Sequence, residues 1–209
     1  MTPHPGLILA SASPRRRELL RAVGVPFRVI PSRVDERCLP GEAPRRFALR
    51  AARDKGAEVA GRNPGAHVLS ADTVVVVGGA VLGKPRDRRD GRRMLALLSG
   101  REHLVHTAVC LLRECDGYRD EAVATTRVRF RELSGPEILG YLRTGESDDK
   151  AGAYAAQGAG NLLIERIAGS YTNVVGLPMT QVLAMLRRAG VVRVSRAGPR
   201  WYGPAGAGR

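Results

Sequence analysis

Apolar and polar positions along the chain follow two periods, one of two residues and one of about 3.6 residues, and these predict strands and helices in turn. The period-two and apolar runs predict strands over 7–11, 27–32, 67–77, 103–114, 118–131 and 161–167, and a short strand after a Gly78-Gly79 hairpin turn. Helical periodicity predicts helices over 14–23, 44–61, 87–98, 135–143 and 178–189. The order predicts an α/β fold with a mixed sheet covered by helices, because hairpins require antiparallel strands.

The length and composition predict one domain over residues 1–192 followed by a disordered tail over 193–209. A chain of 209 residues with 44% hydrophobic content can bury one large core. The tail is rich in Gly, Pro, Ala and Arg and contains no acidic residue. Since no stretch approaches about 18 apolar residues and no signal-peptide pattern begins the chain, we expect a cytoplasmic protein without a membrane partner.

The formal charge of +14 raises the question of nucleic-acid binding. Basic residues are spread along the whole chain, aromatic residues make up only 4%, and no known nucleic-acid-binding motif is present. Nucleic acid is therefore not the expected partner, although a basic nucleic-acid or division-complex binding protein without catalysis stays the alternative. The three cysteines lack CxxC spacing, which indicates neither a disulfide framework nor a zinc site.

The segment "LILASASPRRRELL" places a strand, two serines and three arginines at the start of a helix. Ser13 is the expected N-cap and Pro14 the first helical residue. Arginines are unfavourable in a first turn because of the helix dipole, unless an anion binds there. We therefore expect the hydroxyls of Ser11 and Ser13, with Arg15 and Arg16, to bind phosphate; the alternative is an ordinary serine-capped helix.

The segment "SADTVVVV" places Asp72 before four valines of a buried strand. A buried carboxylate is unfavourable unless it is paired or metal-bound, so Asp72 could bind Mg²⁺ or accept a proton from water. The alternative is that Asp72 accepts backbone N–H groups in a turn. If folding brings them together, Glu36 and Lys84 would complete with Asp72 a site that combines acidic groups, a metal ion and a cationic side chain. His103 and His106 point to opposite strand faces and do not suggest a metal site.

Eight segments in order resemble the Maf family of nucleoside triphosphate pyrophosphatases, from about Leu7 to Leu186. They are "SASPRRRELL", "VDE", "RAARDKG", "SADTVVVV", "LGKP", "SGREHLVHTAV", "DKAGAYAAQG" and "GSYTNVVGLP". The resemblance implies a largely antiparallel extended sheet flanked by helices, with two lobes around a central cleft. It also implies a cytoplasmic homodimer associated with arrest of septum formation in bacteria.

The resemblance further implies hydrolysis between the α and β phosphates with Mg²⁺ or Mn²⁺. It suggests Asp72 as proton acceptor, Glu36 and Asp72 near the metal, and a phosphate-binding group of Ser11, Ser13, Arg15, Arg16, Lys55 and Lys84. The "AGAY" block with its glutamine is similar to the dTTP/UTP subgroup and nominates Arg15, Thr73 and Gln157 as selectivity positions. Gly56 departs from the family, where alanine is common, at a cost near 1 kcal/mol inside a helix.

Overall fold

The computed structural model describes residues 6–194 and the backbone of residues 202–204. Nine strands are described: β1 Leu7–Leu9, β2 Arg28–Val29, β3 His67–Val77, β4 Ala80–Leu82, β5 Glu102–Arg113, β6 Tyr118–Phe130, β7 Ile164–Ala168, β8 Val192–Val194 and β9 Tyr202–Pro204. Six α-helices are described: α1 Pro14–Ala22, α2 Pro44–Gly61, α3 Arg88–Leu98, α4 Gly135–Arg143, α5 Tyr171–Val175 and α6 Met179–Arg188. None of these helices is long and apolar enough to cross a membrane.

Seven strands form one mixed sheet in the order β2-β1-β3-β5-β6-β7, with β4 paired to β3. Strand β1 is parallel to both β2 and β3, whereas β3–β4 and β6–β7 are antiparallel. Strands β5 and β6 are joined by only a few residues and are therefore also antiparallel, because a parallel pair needs a long crossover. The predicted α/β class with a mixed, largely antiparallel sheet is confirmed.

The chain divides into two compact units. The first comprises the described residues up to Asp72, with Ala108–Val123 and the described residues from Gly176 onward; the second comprises Thr73–Thr107 and Ala124–Val175. One domain over 1–192 and a central cleft both remain predictions.

The first unit has its own hydrophobic core, which packs α1 and α6 against one face of the sheet. Its fully buried members include Leu9, Leu20, Leu69, Leu111 and Met185. The opposite face of β3 contacts α2: the hydroxyl of Ser70 donates to the carbonyl of Ala52 at 2.6 Å. Helix α2 therefore lies on the sheet face that also carries Asp72.

The second unit has a separate core formed by β4, α3, α4, the later parts of β3 and β6 and the first half of β5. Fully buried residues here include Leu95, Leu98, Val128 and Phe130. The Gly78-Gly79 turn has φ values of +54° and +82°, as the predicted hairpin turn requires. Asp87 and Ser134 cap α3 and α4, each accepting a hydrogen bond from a backbone N–H of the first turn.

Two strands and one helix cap differ from the prediction. The strand predicted over 27–32 is limited to Arg28–Val29, because Pro26 and Pro31 stand close on either side of it. The strand predicted over 161–167 begins only at Ile164, after a 3-10 helix over Gly158–Leu163. Ser13 occupies the N-cap position of α1, but its side chain makes no capping hydrogen bond.

The tail predicted to be disordered over 193–209 includes residues that form strands. Val192–Val194 pairs antiparallel with Tyr202–Pro204. The remainder of that tail lies outside the described residues.

Both histidines of the "HLVH" segment are buried on opposite faces of β5, as the strand period predicts. His103 Nε2 lies 2.8 Å from the Tyr154 hydroxyl and is 2% exposed. His106 Nδ1 lies 2.9 Å from the hydroxyl of Thr125. Burial lowers the pKa of His103 to about 4, so its imidazole is neutral in the folded protein near pH 7.

Gly56 explains how α2 approaches the sheet closely. A Cβ atom at this position would lie 2.8 Å from Ser70 Oγ and 2.9 Å from Leu112 Cδ2, which is too short for an unstrained contact. We predict that Gly56→Ala is less stable than the matched variant Gly61→Ala by about 1–3 kcal/mol, the usual cost of overpacking. Gly61 ends the same helix, and a Cβ atom added there would meet no atom of the described residues within 4 Å apart from its chain neighbours and its own helix backbone. Urea unfolding of both variants measures the difference, and equal stability would contradict the packing explanation.

Acid should destabilise the second unit through His103. Its pKa in the folded protein lies below the ordinary value of 6.5, so between pH 7 and pH 5 the unfolded chain binds a proton that the folded protein does not. The free energy of unfolding should fall by about 2 kcal/mol over this range through His103 alone. Unfolding curves at both pH values for wild type and His103→Gln isolate this contribution. An identical pH dependence in the two proteins would refute it.

Candidate active site

The candidate active site is built where α2 crosses β3. Side chains two residues apart share a face of a strand, and Ser70 and Asp72 both point to α2. Ser70 contacts the carbonyl of Ala52, and Asp72 contacts the side chain of Lys55, three residues further along the helix. The close approach permitted by Gly56 is therefore adjacent to the contact between Lys55 and Asp72.

Lys55 joins two carboxylates in this site. Its Nζ lies 2.7 Å from Asp72 Oδ1 and 2.7 Å from Glu36 Oε1. The side chains of Lys55 and Asp72 are 10% and 7% exposed, whereas that of Glu36 is 37% exposed. Burial makes such charge-assisted hydrogen bonds important, since a buried charge without a partner is strongly destabilising.

Asp72 lies inside β3 rather than at its end, and its carboxylate has an altered protonation equilibrium. Burial raises the pKa of Asp72 above its ordinary value, the ammonium of Lys55 opposes this shift, and a hydrogen bond and negative charge from Glu36 add to it. A raised pKa suits a carboxylate that accepts a proton near neutral pH. The alternative that Asp72 accepts backbone N–H groups in a turn is wrong, because it stands within a strand and contacts Lys55.

The N-terminal turn brings Arg16 to the same site. Its Nη1 donates to Ser11 Oγ at 3.1 Å and to the carbonyl of Ala71 at 2.9 Å, and its Nε donates to the carbonyl of Gly176 at 2.7 Å. Burial lowers the pKa of Arg16, while the negative charges of Asp72 and Glu36 oppose that shift. Arg16 thus supports the strand residue that precedes Asp72, as well as placing positive charge near the carboxylates.

Two carboxylates that contact the same lysine ammonium lie close enough together to fit a hard divalent cation. Glu36 and Asp72 offer oxygen ligands only, which suit Mg²⁺ and Mn²⁺. Over residues 6–194, no group of three or more His, Cys, Asp or Glu side chains is arranged to hold a metal ion. Mg²⁺ commonly takes one or two protein carboxylates together with substrate phosphates, and the pair present here matches that pattern.

The first unit therefore brings together five of the residues predicted for the site: Ser11, Arg16, Glu36, Lys55 and Asp72. Ser13 and Arg15 stand at the beginning of α1 in the same unit. The other three predicted residues belong to the second unit. There, Thr73 Oγ1 lies 3.0 Å from Thr107 Oγ1, Lys84 is exposed after β4, and Gln157 is half-buried before the 3-10 helix.

The segment that carries Gln157 is held by side chains that the sequence analysis did not identify. The hydroxyl of Tyr141 accepts a hydrogen bond from the N–H of Ala155 at 3.0 Å. The carboxylate of Glu146 accepts the N–H groups of Ala159 and Gly160, both at 3.1 Å. These contacts replace strand pairing and explain why the predicted strand begins late. No local spacing rule identifies them, because their partners are 13 or 14 residues away.

The sequence of this chain is similar to known proteins over most of its length. Residues 6–189 match a family described as "Maf-like protein". A dTTP/UTP pyrophosphatase of Anaeromyxobacter dehalogenans (strain 2CP-1) is 54% identical over 188 residues, covering 89% of this chain and 95% of the relative. Proteins of the same name from Myxococcus xanthus and Syntrophotalea carbinolica are 49% and 48% identical, covering 88% and 90% of this chain and 93% and 87% of the respective relative.

The family match extends over nearly the whole described chain and includes the positions of Glu36, Lys55 and Asp72. The chain belongs to the Maf family.

Proposed function

We propose that this protein is a nucleoside triphosphate pyrophosphatase that hydrolyses dTTP and UTP to the monophosphate and pyrophosphate. The observation that carries the proposal is the buried pair of Asp72 and Lys55, completed by Glu36, in a chain about half identical to relatives named dTTP/UTP pyrophosphatases. A polarised carboxylate beside cationic groups is suited to hydrolysis of a phosphoanhydride.

In the proposed reaction, the oxygen of a water molecule attacks the α-phosphorus. The bond from this phosphorus to the oxygen that bridges to the β-phosphorus breaks, and the electron pair leaves with pyrophosphate. Asp72 accepts the proton of the attacking water, and Lys55 keeps its carboxylate oriented. Positioning and charge stabilisation supply most of the rate enhancement in phosphoryl chemistry of this kind.

The negative charge of the triphosphate is met by a group of hydroxyls and cations. We assign this role to Ser11, Ser13, Arg15, Arg16, Lys55 and Lys84. The side chains of Glu36 and Asp72 would hold Mg²⁺ or Mn²⁺, which when bound offsets the charge of the phosphate oxygens. Lysine provides a compact point charge at Lys84, whereas the arginine guanidinium groups match pairs of phosphate oxygens.

Base selectivity is assigned to Arg15, Thr73 and Gln157. An amide side chain carries both an acceptor and two donors, so Gln157 can pair with the O4 and N3–H edge shared by uracil and thymine. The contacts of Tyr141 and Glu146 on either side of Gln157 support this assignment, because they fix the backbone from which the amide projects. We further propose, from the family resemblance, that the protein acts in the cytoplasm as a homodimer.

The proposed function predicts a specific pattern of pyrophosphate release. With Mg²⁺ present, UTP and dTTP should be hydrolysed at least tenfold more efficiently than CTP, ATP or GTP, because loss of a matched hydrogen-bonding edge leaves polar groups unpaired. Coupled detection of pyrophosphate across this panel, with and without Mg²⁺, measures kcat/KM for each nucleotide. Release of inorganic phosphate instead of pyrophosphate would reject the proposed bond cleavage.

The variant Asp72→Asn tests whether Asp72 is the proton acceptor. The amide has nearly the same shape but cannot accept the proton, so kcat for UTP should fall about 100-fold or more. Circular dichroism and the unfolding midpoint establish that the variant is folded. A folded Asp72→Asn protein with the wild-type kcat would remove Asp72 from the reaction.

A further inference from the structure

We propose that Arg50, through its ion pair with Glu42, is a positioning residue that fixes the loop carrying Glu36 onto α2. The inference rests on the proposed function, because it assigns Arg50 a role in placing Glu36 beside Lys55 and Asp72. Arg50 itself is placed in contact with the loop and not with the reacting atoms.

Glu36 needs such support because its own segment has little regular structure. Residues 30–43 contain neither a helix nor a strand, and residues 35–41 are exposed. A turn closes between Leu39 and Glu42, where the N–H of Glu42 donates to the carbonyl of Leu39 at 3.0 Å. An exposed loop of this kind fixes a side chain poorly unless groups outside the loop hold its backbone.

Arg50 holds the loop at two points. Its Nε and Nη2 each lie 2.7 Å from a carboxylate oxygen of Glu42, and Nη2 also donates to the carbonyl of Arg37 at 2.8 Å. The second carboxylate oxygen of Glu42 accepts the N–H of Leu39 at 3.1 Å. The guanidinium therefore binds the residue directly after Glu36 and, through Glu42, both ends of the following turn.

Helix α2 holds the other side of Glu36 as well. The carboxylate of Glu58 accepts the N–H of Arg33 at 3.4 Å, three residues before Glu36. Lys55 contacts Glu36 itself, and Arg50 binds the carbonyl of the next residue. One helix thus supplies contacts before, at and after Glu36, and these determine where its carboxylate stands.

The carboxylate of Glu42 is ionised at neutral pH, so its ion pair with Arg50 forms there. The hydrogen bonds from Arg50 lower the pKa of Glu42 to about 2. The Glu42 side chain is only 11% exposed and that of Arg50 is 33% exposed. A planar guanidinium can bind a carboxylate and a carbonyl together, which the single ammonium of a lysine does not reproduce.

A second ion pair on the same helix provides a matched control. Arg53 lies one turn further along α2 and binds both carboxylate oxygens of Glu121 on β6, at 2.7 and 2.5 Å. Glu121 is 17% exposed, so its environment is similar to that of Glu42. The pair between Arg53 and Glu121 touches no residue of the Glu36 loop in the described contacts.

The test compares Arg50→Ala, Glu42→Gln and Arg53→Ala with wild type by kinetics and by hydrogen exchange. Arg50→Ala should lower kcat for UTP about tenfold to a hundredfold with KM changed less than about threefold, because misplacement of a reacting group affects the chemical step. Glu42→Gln should shift kcat in the same direction by a smaller factor. Arg53→Ala should keep kcat within about twofold of wild type.

Hydrogen exchange measured without nucleotide or metal provides the readout that does not depend on activity. The amides of Leu39 and Glu42 should lose protection in Arg50→Ala and Glu42→Gln but not in Arg53→Ala. If Arg50→Ala does not fold, Glu42→Gln carries the same comparison.

Three outcomes would overturn the inference. The first is wild-type kcat in a folded Arg50→Ala protein, the second is an equal loss of kcat in Arg50→Ala and Arg53→Ala, and the third is unchanged exchange at Leu39 and Glu42. A wild-type protein that releases no pyrophosphate from UTP or dTTP would instead reject the proposed function. The exchange experiment would then still report whether Arg50 holds the loop.

Discussion

The ammonium of Lys55 between the carboxylates of Asp72 and Glu36 is the interaction on which the site depends. The carboxylates of buried Asp72 and partly exposed Glu36 repel each other when both are ionised, and Lys55, 2.7 Å from an oxygen of each, supplies the charge that offsets this repulsion. Removing the ammonium leaves the two carboxylates without their cationic partner, and removing the carboxylates leaves the ammonium without an anionic one. The contact therefore requires that α2, β3 and the loop before α2 bring Lys55, Asp72 and Glu36 together.

Several features of the first unit serve that contact. Gly56 lets α2 approach β3 within the distance that Lys55 requires, at the cost of a weak helix former in the helix interior. Arg16 binds the backbone carbonyl next to Asp72, and Arg50 binds the carbonyl next to Glu36. Each carboxylate is thus held through the main chain by an arginine, so these two arginines have a local structural use besides their contribution to net charge.

The sequence predicts those parts of the fold that depend on local patterns. Helix α2 and strand β3 have the predicted bounds, and the Gly78-Gly79 turn has the expected backbone angles. Prediction fails where distant side chains satisfy the backbone, as Glu146 does for the segment after Gln157. In the site, the sequence itself indicated Asp72 and Glu36, and the resemblance added Lys55. The pair of Arg50 and Glu42 is eight residues apart and follows no helical spacing rule. The sequence likewise does not show why a glycine stands at position 56, because the side chains that leave no room for a Cβ atom there, Ser70 and Leu112, belong to distant strands.

The most direct test of the central claim is the kcat of Lys55→Met for UTP, measured together with far-ultraviolet circular dichroism on the same sample. Methionine preserves most of the side-chain volume but removes the charge that holds both carboxylates. The account predicts a folded protein, destabilised by about 3–5 kcal/mol, whose kcat is lower by a factor of about 100 or more. A folded Lys55→Met protein with the wild-type kcat would contradict it.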